Sequence, residues 1–209
     1  MNYNLLNKEI QHYINSHLDS DVTALLLKGT VFQDVETTEI IEQIESKKKC
    51  RFKLPSWYNS KNIYYPNKLN IEQTSSEITA EYKSNLISGK SLIDLTGGFG
   101  VDCFYFSKHF KSVTHCEINE NLSKIVNHNF AQFSIDNIET KCVDGLQFLK
   151  QNQKNYDWIY IDPSRRHDSK GKVFILNDCL PNVPDNLNHI FNFTNNILIK
   201  IKLRCFCIY

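Results

Sequence analysis

The chain has 209 residues, with 24 basic and 23 acidic side chains and a net charge of +1, which excludes a protein that attracts nucleic acid through a strong overall positive field. Hydrophobic residues make up 41% of the chain and aromatic residues 12%, which is sufficient for the core of one full domain with a small appendage. The seven cysteines form no Cys-x-x-Cys pair, and no apolar run approaches the roughly 20 residues of a membrane span, so we expect a cytoplasmic protein with reduced thiols, no membrane segment and no metal.

The first part of the chain is predicted to be helical. Residues 3–18 place apolar side chains at helical spacing, a short helix covers Val22–Lys28, and a third runs from about Thr37 to Lys48. We expect these helices to form an N-terminal region over residues 1–55, followed by the main domain over residues 56–209.

A basic cluster over Lys47–Lys53 combines five cations with an aromatic side chain. In contact with RNA it would neutralise several phosphates in a salt-dependent manner. Alternatively, it is the solvated C-terminal end of a helix, where cations interact favourably with the helix dipole. The sequence leaves both interpretations open.

The segment Thr74-Ser75-Ser76-Glu77 has the form of a helix capping box. Thr74 is the predicted N-cap, and the Glu77 side chain is predicted to reach back to it. The helix is predicted to continue to Gly89, a residue suited to a left-handed C-terminal turn.

The segment Ser91–Asp102 combines an apolar strand, a carboxylate at its end and a glycine-rich turn that leads into a helix. Its order Asp-x-x-x-Gly-x-Gly, formed by Asp94, Gly98 and Gly100, suits S-adenosylmethionine (SAM) at the carboxyl edge of an open α/β sheet. Glycines there let the main chain pass close to a ligand. A nicotinamide fingerprint needs a third small residue where this chain has Cys103, so an oxidoreductase is disfavoured.

Three further strand ends carry polar groups. Glu117 ends the second strand, where its carboxylate can bind ribose hydroxyls, and Asp144-Gly145 follow the third. The Asp144 carboxylate can accept a hydrogen bond from an adenine amino group. Asp162-Pro163 follow the fourth strand, which is expected beside the first. Because parallel strands end at one edge, these groups are predicted to share one crevice.

The elements from residue 91 onward alternate between strand and helix. This alternation predicts an α/β fold with a Rossmann-like, doubly wound and mostly parallel sheet, behind a small N-terminal helical appendage. No segment after Lys200 supplies the final two strands, so we expect a sheet that is incomplete at the C-terminus of a truncated chain. The predicted elements are strand 91–95, helix 100–108, strand 112–117, helix 119–131, strand 138–142, helix 145–151, strand 156–161, an extended piece at 172–176, helix 184–194 and strand 196–201.

In this order the motifs resemble those of the class I SAM-dependent methyltransferases. The closer likeness is to bacterial methyltransferases with a THUMP-like domain, which are related to RNA cap guanine-N2 (trimethylguanosine synthase) enzymes. It rests on Ile63–Pro66, Gln73–Glu77, Asp94–Asp102 and Asp162–Arg166, and extends to about Lys200. The chain departs from the Asp/Asn-Pro-Pro-aromatic motif of amino-group methyltransferases, because serine replaces the second proline and arginine replaces the aromatic residue.

The resemblance implies SAM as cofactor and RNA as acceptor, without a metal. Asp162 would accept a hydrogen bond from the acceptor amine, while Pro163 stiffens the turn. Arg165 and Arg166 would bind an RNA phosphate or, alternatively, pair with nearby surface carboxylates. The predicted catalytic residues are Asp162, Pro163 and Ser164, and the predicted cofactor contacts are Thr74, Asp94, Thr96, Gly98, Gly100, Glu117, Ile118, Asp144 and Gly145.

We therefore expect a SAM-dependent methyltransferase that modifies a guanine-like base amine in RNA. The alternative is an inactive truncated remnant, or a module that binds SAM or RNA without catalysis. The sequence does not indicate the oligomeric state.

Overall fold

The computed structural model of the protein describes residues 1–29, 32–165 and 176–201. The strands are β1 (Gly89–Asp94), β2 (Phe110–Glu117), β3 (Ile138–Cys142), β4 (Trp158–Ile161), β5 (Ser164–Arg165), β6 (Cys179–Leu180) and β7 (Ile197–Ile199). Five of them form one parallel sheet in the order β3-β2-β1-β4-β7. The strand order reverses next to β1, so the predicted doubly wound α/β fold is confirmed. The short strands β5 and β6 form a separate antiparallel ladder.

Helices flank this sheet, and none in the described part of the chain is long and apolar enough to cross a membrane. A 3₁₀ turn covers Tyr3–Leu6, and a second covers Leu176–Asp178. The α-helices are α1 (Lys8–Ser16), α2 (Val22–Lys28), α3 (Thr37–Lys53), α4 (Pro55–Asn59), α5 (Lys68–Gln73), α6 (Glu77–Ser84), α7 (Val101–Phe106), α8 (Glu120–Gln132), α9 (Gly145–Asn152) and α10 (Val183–Ile190).

The predicted capping box is wrong. Thr74 ends α5, and the N-cap of α6 is Ser76, whose side chain accepts a hydrogen bond from the amide of Thr79. The Glu77 carboxylate accepts hydrogen bonds from the Ser56 amide and hydroxyl and from the Tyr105 hydroxyl. The Glu77 carboxylate is therefore occupied by donors from other elements and does not cap its own helix, contrary to the prediction from the local pattern.

Other boundaries also differ from the predictions. Gly89 does not end a helix; it opens β1, where it pairs with Phe110 of β2. Helix α3 continues through the basic cluster to Lys53 instead of ending near Lys48. Of the extended piece predicted at 172–176, residues 172–175 lie outside the described residues.

The N-terminal helices pack against the sheet domain in one continuous apolar cluster. Trp57 of α4 is fully buried and contacts the rings of Phe99, Phe104 and Phe133. Such aromatic contacts fix the two parts against each other through dispersion and burial. The predicted division at residue 55 stays a prediction.

Candidate active site at the carboxyl edge of the sheet

Four neighbouring strands bring the predicted polar residues to one edge. Asp94 at the end of β1 is in register with His115 of β2 and with Tyr160 of β4. Glu117 at the end of β2 is in register with Cys142 of β3. The strand ends therefore lie side by side, as the doubly wound topology requires.

The glycine-rich turn has a backbone that only glycine adopts without cost. Gly98 and Gly100 have φ of +55° and +78°, and Gly100 is the left-handed N-cap of α7. A Cβ added to Gly98 would meet only the Thr96 carbonyl oxygen, at 3.8 Å. The turn is thus open on the side where a ligand would approach.

Beneath this turn lies His115, a residue that the sequence analysis did not single out. A Cβ on Gly97 would fall 2.3 Å from its Nε2 atom, and Nε2 lies 3.2 Å from the carbonyl oxygen of Gly98. Burial lowers the pKa of His115 to about 4, against backbone carbonyl contacts that raise it. The neutral ring supports the turn and excludes any side chain at Gly97.

Glu117 holds the same turn from the side. Its Oε2 accepts a hydrogen bond of 3.0 Å from the Gly98 amide, and its Oε1 accepts one of 2.7 Å from the Asn119 amide. A carboxylate has about four acceptor positions, so two of them stay available for hydroxyl donors. Next to it, Ile118 is 72% exposed and offers an apolar surface just beyond the end of β2.

The Asp94 carboxylate is buried at the base of the turn. Its Oδ1 accepts hydrogen bonds from the amide and hydroxyl of Thr96, and Oδ2 contacts the Cys103 thiol at 3.4 Å. Burial raises the pKa of Asp94 to about 7, with a further contribution from the nearby charge of Asp102, while the Thr96 amide opposes the shift. In this position Asp94 organises the turn through Thr96.

Asp144 and Gly145 lie between the end of β3 and the start of α9, at the same edge of the sheet. The Asp144 side chain is exposed and caps α9 by accepting a hydrogen bond from the Gln147 amide. A Cβ on Gly145 would fall 2.4 Å from the carbonyl oxygen of Leu95. Glycine at this position therefore lets α9 start against the end of β1.

The predicted catalytic segment follows β4 directly. The Asp162 amide donates a hydrogen bond of 2.7 Å to the Thr96 hydroxyl, which joins this segment to the glycine-rich turn. Pro163 is half-buried, and Ser164 is exposed and pairs with Leu180 in the β5–β6 ladder. For Arg165 only the backbone is described, and Arg166 lies outside the described residues.

The Asp162 carboxylate has a partner that the sequence analysis missed. Lys200, just beyond β7, places its ammonium 2.5 Å from Asp162 Oδ2 and 2.9 Å from the Ser75 hydroxyl. Ser75 follows the predicted cofactor contact Thr74 in the turn between α5 and α6. No local motif signals these contacts, because Lys200 and Ser75 are separated by 125 positions.

A buried polar cluster extends this arrangement toward α7. Lys83 places its ammonium 3.0 Å from the Ser75 hydroxyl, 2.6 Å from the Tyr160 hydroxyl and 2.6 Å from Asp102 Oδ1. The hydroxyls of Ser75 and Tyr160 both donate to Asp102 Oδ2. Burial lowers the pKa of Lys83, whereas the Asp102 carboxylate opposes that shift. Lys83 thus donates hydrogen bonds to Ser75 and Tyr160, and it forms an ion pair with Asp102 Oδ1, which accepts no hydrogen bond from the described residues.

The basic cluster of α3 is engaged within the molecule. Each of its cations contacts an aromatic ring, an acidic side chain or a carbonyl oxygen of the protein. An RNA phosphate could bind these cations only if those contacts were broken. The contacts are Lys47 with the rings of Tyr58 and Tyr65, Lys48 and Arg51 with Asp19, Lys49 with Glu72, and Lys53 with the carbonyl oxygens of Ile71 and Glu72.

Comparison with known proteins gives matches over both sequence and structure. Residues 89–165 match the family profile described as RNA cap guanine-N2 methyltransferase. An RNA methyltransferase of Mycoplasma mobile, itself uncharacterized, is 31% identical over 77 residues, which cover 37% of this chain and 21% of that protein. A Porphyromonas gingivalis W83 protein assigned as a methyltransferase is 27% identical, with a TM-score of 0.73 over 92% of this chain and 49% of its own. The chain thus spans about half the length of the P. gingivalis protein.

Proposed function

We propose that this chain is a class I SAM-dependent methyltransferase, which binds SAM at the carboxyl edge of the sheet and methylates a base amine in RNA. The doubly wound sheet and the profile match over residues 89–165 support this proposal. The observation that supports this most directly is the convergence of the glycine-rich turn, Glu117 and Asp162 at neighbouring strand ends. Bound SAM supplies an electrophilic methyl group on its sulfonium, and the protein's task is to orient the acceptor.

The cofactor side of the proposal rests on donors and acceptors that fit an adenosyl group. Glu117 has acceptor positions left for two ribose hydroxyls, and the exposed Asp144 carboxylate can accept from an adenine amine. Ile118 offers an apolar surface to a flat base, and the turn at Gly98 is open to close approach. Thr96, Gly100 and Gly145 shape the backbone around these groups.

The acceptor side rests on Asp162. A carboxylate there can accept a hydrogen bond from an exocyclic amine and hold its nitrogen in line with the methyl group, which is the main way a protein accelerates such a displacement. Pro163 restricts the backbone of the segment. A guanine-like acceptor is favoured by the family profile over residues 89–165, and Arg165 and Arg166 are the proposed contacts to RNA phosphate.

Calorimetric titration with SAM and with its product S-adenosylhomocysteine tests the cofactor site. We expect Glu117→Ala to weaken binding about 10- to 100-fold, because charge-assisted hydrogen bonds are worth about 1.5–3 kcal/mol each. Glu120→Ala is the matched control, since that exposed carboxylate pairs with Lys124 on the surface of α8. Equal affinity in wild type and Glu117→Ala would contradict the site.

The acceptor is tested with isotope-labelled SAM and total RNA. We expect label that becomes soluble on ribonuclease treatment and survives protease, and N2-methylguanosine on nucleoside analysis. Label in another nucleoside would refute the guanine assignment but keep the RNA acceptor. Label in protein alone would overturn the RNA proposal.

A further inference from the structure

We propose that Lys200 is a positioning residue, which binds one oxygen of the Asp162 carboxylate and leaves the other oxygen for the acceptor amine. This inference rests on the proposed function, because it assigns a task to Lys200 in the same site.

The two carboxylate oxygens of Asp162 are in different environments. Oδ2 lies 2.5 Å from the Lys200 ammonium, whereas Oδ1 has no hydrogen-bond donor among the residues that the structure describes. A lone carboxylate on a turn rotates freely between equivalent orientations, and fixing it costs entropy. The ion pair selects one orientation and directs Oδ1 outward.

Lys200 is itself held in place, so that it can act as a fixed reference for Asp162. Its side chain is 16% exposed, compared with 30% for Asp162, and its ammonium also donates to the Ser75 hydroxyl. Ser75 is fixed in turn by Lys83 and Asp102. Removal of one partner from a partly buried ion pair costs more than removal of one partner from an exposed pair, because the remaining charge stays desolvated without a counter-charge.

The two ammonium groups of this cluster lie between its two carboxylates, with the Ser75 hydroxyl between the ammoniums. The Asp162 carboxylate, the Lys200 ammonium, the Lys83 ammonium and the Asp102 carboxylate lie in that order, and the Ser75 hydroxyl accepts from both ammoniums. Removal of Lys200 leaves Asp162 without its described cationic partner, but it leaves the Lys83–Asp102 pair intact. The change removes the ion pair of Asp162 and one donor to the Ser75 hydroxyl, while Ser75 keeps its hydrogen bonds with Lys83 and Asp102.

The inference also explains a departure from the related amino-group enzymes. In this chain the residue two positions after Asp162 is the exposed Ser164, instead of the second proline of the related motif. The segment thus loses one backbone restriction. An ion pair from β7 restores rigidity at the carboxylate itself.

Two measurements on Lys200→Met test the inference, one of which does not depend on activity. In hydrogen exchange, we expect the amides of residues 161, 162, 164 and 165 to exchange at least about 10-fold faster than in wild type, because the charge-assisted hydrogen bond that holds Asp162 is lost. Lys200→Arg retains the cation and should recover most of the protection. Lys150→Met, an exposed lysine of α9, is the matched control and should leave this segment unchanged.

In steady-state methyl transfer, we expect Lys200→Met to lower kcat about 10- to 100-fold while the Kd for S-adenosylhomocysteine changes by less than about twofold. A variant that only destabilises the fold would lower kcat and also weaken the binding of S-adenosylhomocysteine. Unchanged exchange at 161–165 in Lys200→Met would overturn the positioning role regardless of activity. Faster exchange in a protein that methylates no RNA would retain the positioning role and reject the proposed acceptor.

Discussion

The two sides of the candidate site are built in different ways. On the glycine-turn side, which comprises residues 94–100 and 115–117, the polar groups are satisfied almost entirely within two neighbouring strands and their connecting turn. On the Asp162 side, the carboxylate depends on Lys200, 38 positions away, and through it on Ser75. The first side is a local motif, and the second exists only after β4, β7 and α6 have come together.

This contrast indicates how the two sides respond to change. We expect the glycine-turn side to be sensitive to substitutions that change its backbone and insensitive to the loss of distant partners. We expect the Asp162 side to be sensitive to the loss of charged side chains on other elements. The following predictions separate these behaviours.

The largest effect is expected from two opposing titrations on the glycine-turn side. Burial raises the pKa of Asp94 from 3.8 to about 7, so its contribution to stability is complete below pH 4 and is lost as the pH rises to 7, by about 4 kcal/mol. Burial lowers the pKa of His115 from 6.5 to about 4, so its contribution is present above pH 6.5 and is lost as the pH falls to 4, by about 3 kcal/mol.

The effects of Asp94 and His115 on the pH dependence of stability nearly cancel in the wild type. A variant that lacks one of the two groups should show the effect of the other. In urea unfolding between pH 4 and 7, we expect the stability of Asp94→Asn to rise with pH and that of His115→Asn to fall. Parallel curves for the two variants would contradict this description of the buried pair.

The next largest effect is expected on the Asp162 side. Asp162→Asn removes the carboxylate charge and should lower kcat about 100-fold, because misorientation of an acceptor costs about that much. The affinity for S-adenosylhomocysteine should stay within about twofold, since the glycine-turn side is untouched. An equal loss of affinity and kcat would show that the two sides are not separable.

A smaller effect is expected from a single methyl group at Gly97. Gly97→Ala places its Cβ against the His115 ring, and overpacking of this kind costs about 1–3 kcal/mol. We expect a matching loss of 10-fold or more in affinity for S-adenosylhomocysteine, measured by calorimetry. Gly29→Ala is the control at the end of α2: its φ of +73° makes the substitution strained, so it should lower stability and leave that affinity unchanged.

The smallest effect is expected at the basic cluster of α3. Lys48→Ala combined with Lys49→Ala should change RNA affinity by less than about twofold, because both cations already pair with acidic residues and exposed pairs are worth about 0–1 kcal/mol. Arg165→Ala with Arg166→Ala should weaken RNA binding more strongly and reduce its salt dependence. Filter binding at several salt concentrations checks both.

Features that depend on neighbouring residues could be predicted from the sequence, whereas features that depend on tertiary contacts could not. The glycine positions and the carboxylates after each strand are encoded by neighbours in the chain, so their placement at one edge could be predicted from the alternation of strands and helices. The N-cap of α6 was predicted wrongly, because the Glu77 carboxylate has stronger tertiary donors in Ser56 and Tyr105. His115 was overlooked, since a lone histidine in a strand gives no signal until the turn folds over it.

Local patterns in the chain were enough to predict the parallel sheet, the order of its elements and the positions of Gly98, Glu117 and Asp162, because hydrophobic periodicity and turn chemistry depend on neighbouring residues. The partners of those residues become apparent once the chain is folded: the ring beneath Gly97, the ammonium of Lys200 beside Asp162 and the buried cluster around Lys83. An ion pair or a buried contact forms between residues that are close in space. Lys200 is separated from Asp162 by 38 positions and from Ser75 by 125, so no local sequence pattern indicates these contacts.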